Sequence, residues 1–242
     1  MVNVNGVHTI LGIIGNLTSF IRLASPMPTI WRFLKKKSVE EFTFHPYVAG
    51  IMICILWVFY SMPFVHPHSI PVTTVNCIGL FLNVVYVIVY WIYTVNSKRN
   101  EIKECLSAEL GVLLFLASVT LLAFHNQTTR SNFLGVFCDI FGIVFYGAPL
   151  TAMWNVIKTK SVEFMPLSIS LTGFANGIVW SAYGVLRFDP YILISNAFGA
   201  ILGALQLILY VVYSRSKPKD APNPTPQIQL STGTKSLATA AV

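Results

Sequence analysis

The sequence predicts an all-α integral membrane protein with seven transmembrane helices, arranged as two parallel three-helix bundles joined by a linker helix. Three observations predict this fold. Of the 242 residues, 55% are hydrophobic and only 10% are charged, whereas about 25% of residues are charged in soluble domains. Seven apolar stretches have about the 20 residues that a helix needs to cross a bilayer. Several motifs also recur in the same order in the two halves of the chain.

The seven spans alternate with short polar or basic connections. They are predicted at Val7–Ala24, Tyr47–Phe64, Ile70–Tyr93, Leu106–Phe124, Phe133–Val156, Leu167–Leu186 and Tyr191–Tyr213. In this topology 13 of the 16 Lys and Arg residues fall on one side of the membrane. Because basic loops stay in the cytoplasm, the N-terminus is expected outside the cell and the C-terminus inside it.

The internal repeat defines the domain organisation. Lys37-Ser-Val-Glu recurs as Lys160-Ser-Val-Glu, and Asn76 recurs as Asn196. Repeating three helices in the same orientation requires one extra crossing, which the fourth span provides. The predicted domains are a first repeat (1–97), the linker helix with its flanking loops (98–130), a second repeat (131–216) and a disordered cytoplasmic tail (217–242). Parallel repeats are typical of transporters whose substrate site lies between the halves.

Composition and motif spacing argue against several other classes of protein. The net charge of +7 comes from short clusters without a continuous basic face, so no nucleic-acid partner is expected. The four cysteines contain no C-x-x-C pair, which argues against a zinc site or a disulfide framework. The five histidines fall at span ends or in loops, which argues against an intramembrane enzyme. No catalytic residue, cofactor or metal is predicted.

Six motifs resemble those of the SWEET sugar transporters. They are Ser25-Pro-Met-Pro-Thr, Lys37-Ser-Val-Glu, Thr74-Val-Asn-Cys-Ile-Gly, Gly147-Ala-Pro-Leu, Lys160-Ser-Val-Glu-Phe-Met-Pro-Leu and Asn196-Ala-Phe-Gly. The resemblance spans Val7 to Ser214 and is strongest to plant members. Pro67-His-Ser and Leu186-Arg-Phe-Asp-Pro-Tyr resemble the branch that is associated with hexoses. The resemblance implies bidirectional, facilitative transport of a sugar such as glucose by alternating access.

A sugar site needs neutral hydrogen-bonding groups and flat aromatic surface, because a sugar has both hydroxyls and an apolar ring face. Asn76, Asn196, Trp57 and Trp180 supply these groups at repeat-related positions, and the resemblance places them at the sugar pocket. A helix–helix hydrogen bond and an interfacial anchor are the alternative roles for an intramembrane Asn and Trp.

Four further residues complete the predicted substrate site. Ile53 and Asn176 lie one helical turn before the two tryptophans, the resemblance adds Phe145, and Ser19 is a candidate in the first span. The bulk of Phe145 and Asn176 favours a monosaccharide over sucrose.

Four prolines match the proline tetrad of the family, and the resemblance implies that they are hinges: Pro26, Pro46, Pro149 and Pro166. A proline removes an amide donor and permits a kink. Ordinary helix punctuation is the alternative interpretation.

Arg22 and Asp139 are charged residues inside predicted spans, where charge is costly and suggests function. One hypothesis makes Asp139 a proton carrier, and another pairs it with Arg22. The alternative functions are therefore a proton-coupled small-solute transporter and a seven-helix receptor, although signalling does not require a symmetric repeat. Arg22 and Ile53 also depart from the neutral residue and the Asn expected from the resemblance.

The resemblance further implies a plasma-membrane location and a homo-oligomer. Small residues such as Gly199 and Gly203 are candidate contacts between protomers. The expected partners are therefore the sugar substrate, the lipid bilayer and further copies of the chain.

Overall fold

The computed structural model describes residues 4–40, 42–162, 165 and 167–214, and nine α-helices are found in them. The helices are α1 (Val4–Ala24), α2 (Met27–Lys36), α3 (His45–Tyr60), α4 (Ile70–Tyr93), α5 (Asn96–Ser118), α6 (Gln127–Phe145), α7 (Gly147–Thr159), α8 (Leu167–Arg187) and α9 (Pro190–Tyr213). A π-helical turn, Val119–Ala123, continues α5. The predicted hinge Pro166 and the predicted tail, 217–242, lie outside the described residues.

The nine helices correspond to seven spans because the first and fifth spans are each broken once. Helix α1 ends just before Pro26 and continues as α2, while α6 ends just before Gly147 and continues as α7, with Pro149 in its first turn. By length and composition, six helical segments of the described chain can cross a membrane, and α3 is a shorter apolar helix.

Three spans are longer than their apolar stretches predict. The first and fifth extend to Lys36 and Thr159, and the fourth begins at Asn96. The basic segment 98–103 is therefore helical and not a loop. Lys, Arg and Glu favour helix as strongly as many apolar residues do, so a helix continues beyond the bilayer where hydrophobicity gives no signal.

The two halves pack in the same way. In the first half α4 contacts both α1 and α3, and in the second half α9 contacts both α6 and α8. The halves meet through α1 against α8 and through α6 against α3. These two contacts are equivalent under the repeat, which is the arrangement that a two-fold axis between the halves requires. Helix α5 packs beside α3.

The repeated Lys-Ser-Val-Glu motif ends a helix in each half. Lys37 and Lys160 follow α2 and α7 in the left-handed backbone region, with φ of 51° and 56°. Glu40 then folds back onto α2, with its carboxylate oxygens 2.6 Å from Arg32 Nη2 and 2.5 Å from Lys36 Nζ. We call this end of the molecule the basic end.

Glycines allow α8 and α9 to approach each other closely. A Cβ at Gly203 would lie 2.8 Å from the Cα of Phe174, and one at Gly177 would lie 2.7 Å from the backbone nitrogen of Ala200. Gly199 faces the hydroxyl of Tyr146. Gly199 and Gly203 therefore pack inside their own chain, and the prediction that they contact other protomers is wrong.

Candidate functional site

A cavity of about 510 Å³ lies between the two halves, within the usual range of ligand pockets. All eight residues of the predicted substrate site line it: Ser19, Ile53, Trp57, Asn76, Phe145, Asn176, Trp180 and Asn196. The predicted hinges Pro26 and Pro46 also line the cavity, whereas Pro149 does not. The repeat thus brings together side chains that are far apart in the sequence.

Asn76 and Asn196 have the same geometry in the two halves. Each side-chain nitrogen donates to the carbonyl one turn earlier, that of Val72 and that of Ile192, at 2.8 Å. These bonds fix the orientation of both carboxamides and use one donor hydrogen of each. Both residues are half-buried. An amide oxygen that still has acceptor capacity suits the hydroxyl of a sugar.

The wall between α1 and α8 is polar. Asn176 Oδ1 accepts hydrogen bonds from the hydroxyls of Thr18 at 2.9 Å and Ser19 at 2.7 Å. The indole nitrogen of Trp180 donates to Ser19 Oγ at 2.9 Å. Three of the predicted residues therefore bond to one another, and the amide oxygen of Asn176 is already engaged.

The wall between α3 and α6 is apolar by comparison. The repeat relates Ser19 to Gly142 and Asn176 to Ile53, and both Gly142 and Ile53 line the cavity. Glycine has no side chain, and the side chain of isoleucine has no hydrogen-bonding group. The fold of the cavity is thus nearly symmetric, while its chemistry is not.

Hydrogen bonds between the halves close the cavity at the end opposite the basic end. The hydroxyl of buried Tyr60, at the last turn of α3, lies 3.0 Å from both carboxylate oxygens of Asp189 and donates to them. Asp189 also caps α9, since it accepts from the backbone nitrogens of Tyr191 and Ile192 at 3.1 Å. His66 Nε2 lies 3.2 Å from the same carboxylate. The cap fixes the carboxylate at the place where Tyr60 and His66 reach it.

His66 connects this closure to α6, and the two residues that follow it bind the end of α8. Its Nδ1 lies 2.9 Å from Ser131 Oγ, and its ring stacks on Tyr60 with centroids 4.9 Å apart. Burial lowers the pKa of His66 below its ordinary 6.5; the carboxylate of Asp189 opposes this shift and Arg187 adds to it. Arg187 itself donates to the carbonyls of Pro67 and His68 at 3.4 and 3.1 Å.

At the basic end the cavity reaches the surface. Ser25, Pro46 and Ile169 line it there and are exposed, whereas Trp57 and Trp180 at its inner end are buried. The structure therefore has one closed end and one end that a solute can enter.

The two charged residues predicted inside spans do not form an ion pair. Asp139 is buried and accepts a hydrogen bond from Ser195 Oγ, and only Ser195 of this pair lines the cavity. Arg22 lines the cavity and interacts with the hydroxyl of Tyr146. In the described part of the chain, no group of three His, Cys, Asp or Glu residues is arranged to hold a metal ion.

The closing contacts between the halves were not among the predicted features. Tyr60 and Tyr183 are repeat-related, and Asp189 lies in the motif Leu186-Arg-Phe-Asp-Pro-Tyr, but neither pattern indicates that Tyr60 and Asp189 meet. The available signal was an acidic residue directly before Pro190, since Asp is a preferred N-cap and Pro is common at the first helical position.

Comparisons with known proteins agree with this architecture. The family model described as "Sugar efflux transporter for intercellular exchange" matches residues 9–98 and 132–218. Bidirectional sugar transporter SWEET4 of Arabidopsis thaliana is 44% identical over 220 residues, covering 91% of this chain and 88% of that protein. SWEET8 of the same plant is 43% identical over 234 residues, covering 96% and 98%. A solved eukaryotic SWEET transporter superposes with a TM-score of 0.83 at 32% identity, covering 87% of this chain and 98% of that one.

The fold and the cavity define a multi-pass membrane transporter built from two parallel repeats. The chain belongs to the SWEET family of sugar transporters. The predicted family, the seven-span 3 + 1 + 3 fold and the prediction that the chain is not an enzyme are thereby confirmed.

Proposed function

We propose that the chain carries a monosaccharide such as glucose across a membrane in both directions, as a uniporter that works by alternating access. The observation that most directly supports this proposal is the matched orientation of Asn76 and Asn196 at one cavity between the halves. Relatives with 44% and 43% identity are named bidirectional sugar transporters, which supports the same activity here.

In this proposal sugar hydroxyls donate to the amide oxygens of Asn76 and Asn196, and the ring lies against Trp57 or Phe145. The internal bonds of Asn176 and Trp180 mean that both residues shape the pocket and hold its polar wall. Phe145 narrows the cavity on the apolar wall, which favours a monosaccharide over a disaccharide.

The helix breaks support a hinge role for the prolines. The first span changes from α1 to α2 at Pro26, and the fifth changes from α6 to α7 just before Pro149. Pro46 lies in the first turn of α3. We include Pro166 by the family resemblance. Bending at these points closes the basic end while the opposite end opens.

The proposed location is the plasma membrane, with the N-terminus outside and the basic end in the cytoplasm. This orientation follows from the distribution of Lys and Arg. The closed end then faces the exterior, so the structure is inward-facing. Assembly into a homo-oligomer remains a prediction.

Uptake of radiolabelled glucose and sucrose in transporter-deficient cells tests the proposal. Asn76→Ala and Asn196→Ala should each raise the glucose concentration that gives half-maximal uptake about two- to tenfold, because a neutral hydrogen bond contributes about 0.5–1.5 kcal/mol. Asn132→Ala is the matched control, since Asn132 is exposed and does not line the cavity. Surface expression is measured for each variant. Unchanged uptake in both cavity variants, or a preference for sucrose, would contradict the proposal.

A proton-coupled transporter is the second candidate, because Ser195 connects buried Asp139 to the cavity wall. Coupling requires sugar to accumulate above its equilibrium level when a proton gradient is imposed, and Asp139→Asn should abolish that accumulation. A uniporter only equalises the two concentrations. Measurement of the final internal sugar concentration therefore separates the two functions.

A further inference from the structure

Arg22 is the one charged residue among those that line the cavity within the described chain. Its guanidinium interacts with the neutral hydroxyl of Tyr146. Among the described residues, no carboxylate lies within the 4.0 Å that defines an ion pair with it. A cation at membrane depth is costly unless an opposite charge or water compensates it. The cavity therefore has a net positive wall that can accept an anion.

The repeat shows that the fold does not require this cation. The position related to Arg22 in the second half is Phe145, which also lines the cavity. The same backbone environment thus holds a neutral ring on one wall and a guanidinium on the other. The charge is a property of this site's chemistry and not of the helix packing.

The guanidinium belongs to the polar wall. Arg22 follows Ser19 by three positions on α1, so both side chains lie on one helix face. Ser19 is bonded to Asn176 and Trp180. Asp139 does not neutralise the wall by direct contact, because its carboxylate bonds to Ser195 and does not line the cavity.

We propose that the cavity also binds anionic monosaccharides, of the uronic acid class, with the sugar carboxylate on Arg22 and the hydroxyls on Asn76 and Asn196. A guanidinium matches a carboxylate in planar, two-point geometry, and charge-assisted bonds of this type are stronger than neutral ones. The inference rests on the proposed sugar transport, and it extends the specificity of the same cavity to a charged class of sugar.

The test uses the full chain in proteoliposomes with the membrane potential held at zero, so that the charge of the solute does not bias its movement. Uptake of radiolabelled glucose is inhibited with unlabelled glucose, glucuronate or the uncharged methyl ester of glucuronate. In the unaltered protein glucuronate should inhibit at lower concentration than its ester. The ester has nearly the same shape, so this difference isolates the carboxylate.

Three variants assign the effect to Arg22. For Arg22→Gln the ratio of half-inhibitory concentrations, glucuronate to glucose, should rise by about tenfold or more. Arg22→Lys should give a smaller rise in this ratio, since lysine keeps the positive charge but lacks the planar, two-point geometry of the guanidinium. Arg32→Gln is the matched control, because Arg32 pairs with Glu40 outside the cavity. If Arg22→Gln loses all uptake, the concentration dependence of the rise in melting temperature gives the dissociation constants of glucuronate and glucose, and their ratio replaces the ratio of half-inhibitory concentrations.

The outcomes separate the two proposals. Glucose uptake without preferential inhibition by glucuronate refutes this inference and leaves monosaccharide transport intact. A ratio that Arg22→Gln leaves unchanged, or that Arg32→Gln raises equally, also refutes it. Absence of glucose uptake in the unaltered protein instead refutes the proposed function.

Discussion

Replacing Tyr60 by Phe should open the closed end of the cavity. The substitution removes one hydroxyl that donates to Asp189 across the two halves at 3.0 Å. The Phe ring can keep the edge contact with Trp57 and the stacking on His66. A hydrogen bond to a charged group contributes about 1.5–3 kcal/mol net. In the open state the hydroxyl bonds to water, so the loss falls on the closed state alone.

A free-energy loss of this size lowers the ratio of closed to open molecules by about tenfold to about 150-fold. Nitroxide labels on Phe64→Cys and Phe188→Cys can measure the change, since both residues are exposed at the closed end, on different halves. Cys77 and Cys105 are first replaced by Ser, while the buried Cys54 and Cys138 are kept. Pulsed electron spin resonance should then show a larger population of long distances in the Tyr60→Phe variant.

Tyr183→Phe is the matched control for this experiment. Tyr183 is related to Tyr60 by the repeat and is equally buried, with 0% of its surface exposed. Its hydroxyl has no hydrogen-bond partner among the described residues. The control should therefore leave the distance distribution unchanged. Equal shifts in the two variants, or none in Tyr60→Phe, would refute the assignment of Tyr60 as a closing contact.

Two further predictions concern pH and helix packing. The closed end lowers the pKa of His66 below 6.5, so closure is stabilised above pH 6.5 and weakened as acid protonates the imidazole. As the pH falls from about 7.5 to about 5.5, the same two labels should show a larger population of long distances. His66→Gln should remove this response. A closed fraction that does not change with pH would contradict the prediction. Gly203→Ala places a Cβ 2.8 Å from the Cα of Phe174 and should lower the melting temperature, with a cost of about 1–3 kcal/mol. Gly173→Ala is its control, since outside the adjacent backbone of α8 no atom lies within 4 Å of the added Cβ. Equal melting temperatures in the two variants would contradict the packing argument.

The repeat made much of the architecture predictable. Three spans per half and one linker follow from apolar length and from the recurrence of Lys37-Ser-Val-Glu. Asn76 and Asn196 occupy repeat-related positions, the family resemblance places both at the sugar pocket, and both line one cavity. The early start of α5 at Asn96 was missed because charged helix formers carry no hydrophobic signal.

The partners of individual polar groups were not predictable. Thr18 and Ser19 occupy the amide oxygen of Asn176 only because α1 packs on α8, and no pattern within either helix encodes that contact. Tyr60 and Asp189 are 129 positions apart. Their bond depends on how the two halves meet, which no local pattern of residues indicates.

In the proposed alternating-access cycle, the closing contacts are also suited to being broken and remade. Tyr60, His66 and Asp189 join the halves mainly through polar bonds, and water can replace such bonds when the end opens. A sugar whose binding free energy differs by a few kcal/mol between the two states is then enough to shift their populations. The walls should not part equally, however. Helices α1 and α8 share three side-chain hydrogen bonds at the cavity, among Thr18, Ser19, Asn176 and Trp180. Among the described residues, helices α3 and α6 share a single long one near the closed end, from Ser131 Oγ to the Tyr60 hydroxyl at 3.4 Å. The α1–α8 contact is therefore the more costly of the two to separate, and motion should be larger at α3 and α6.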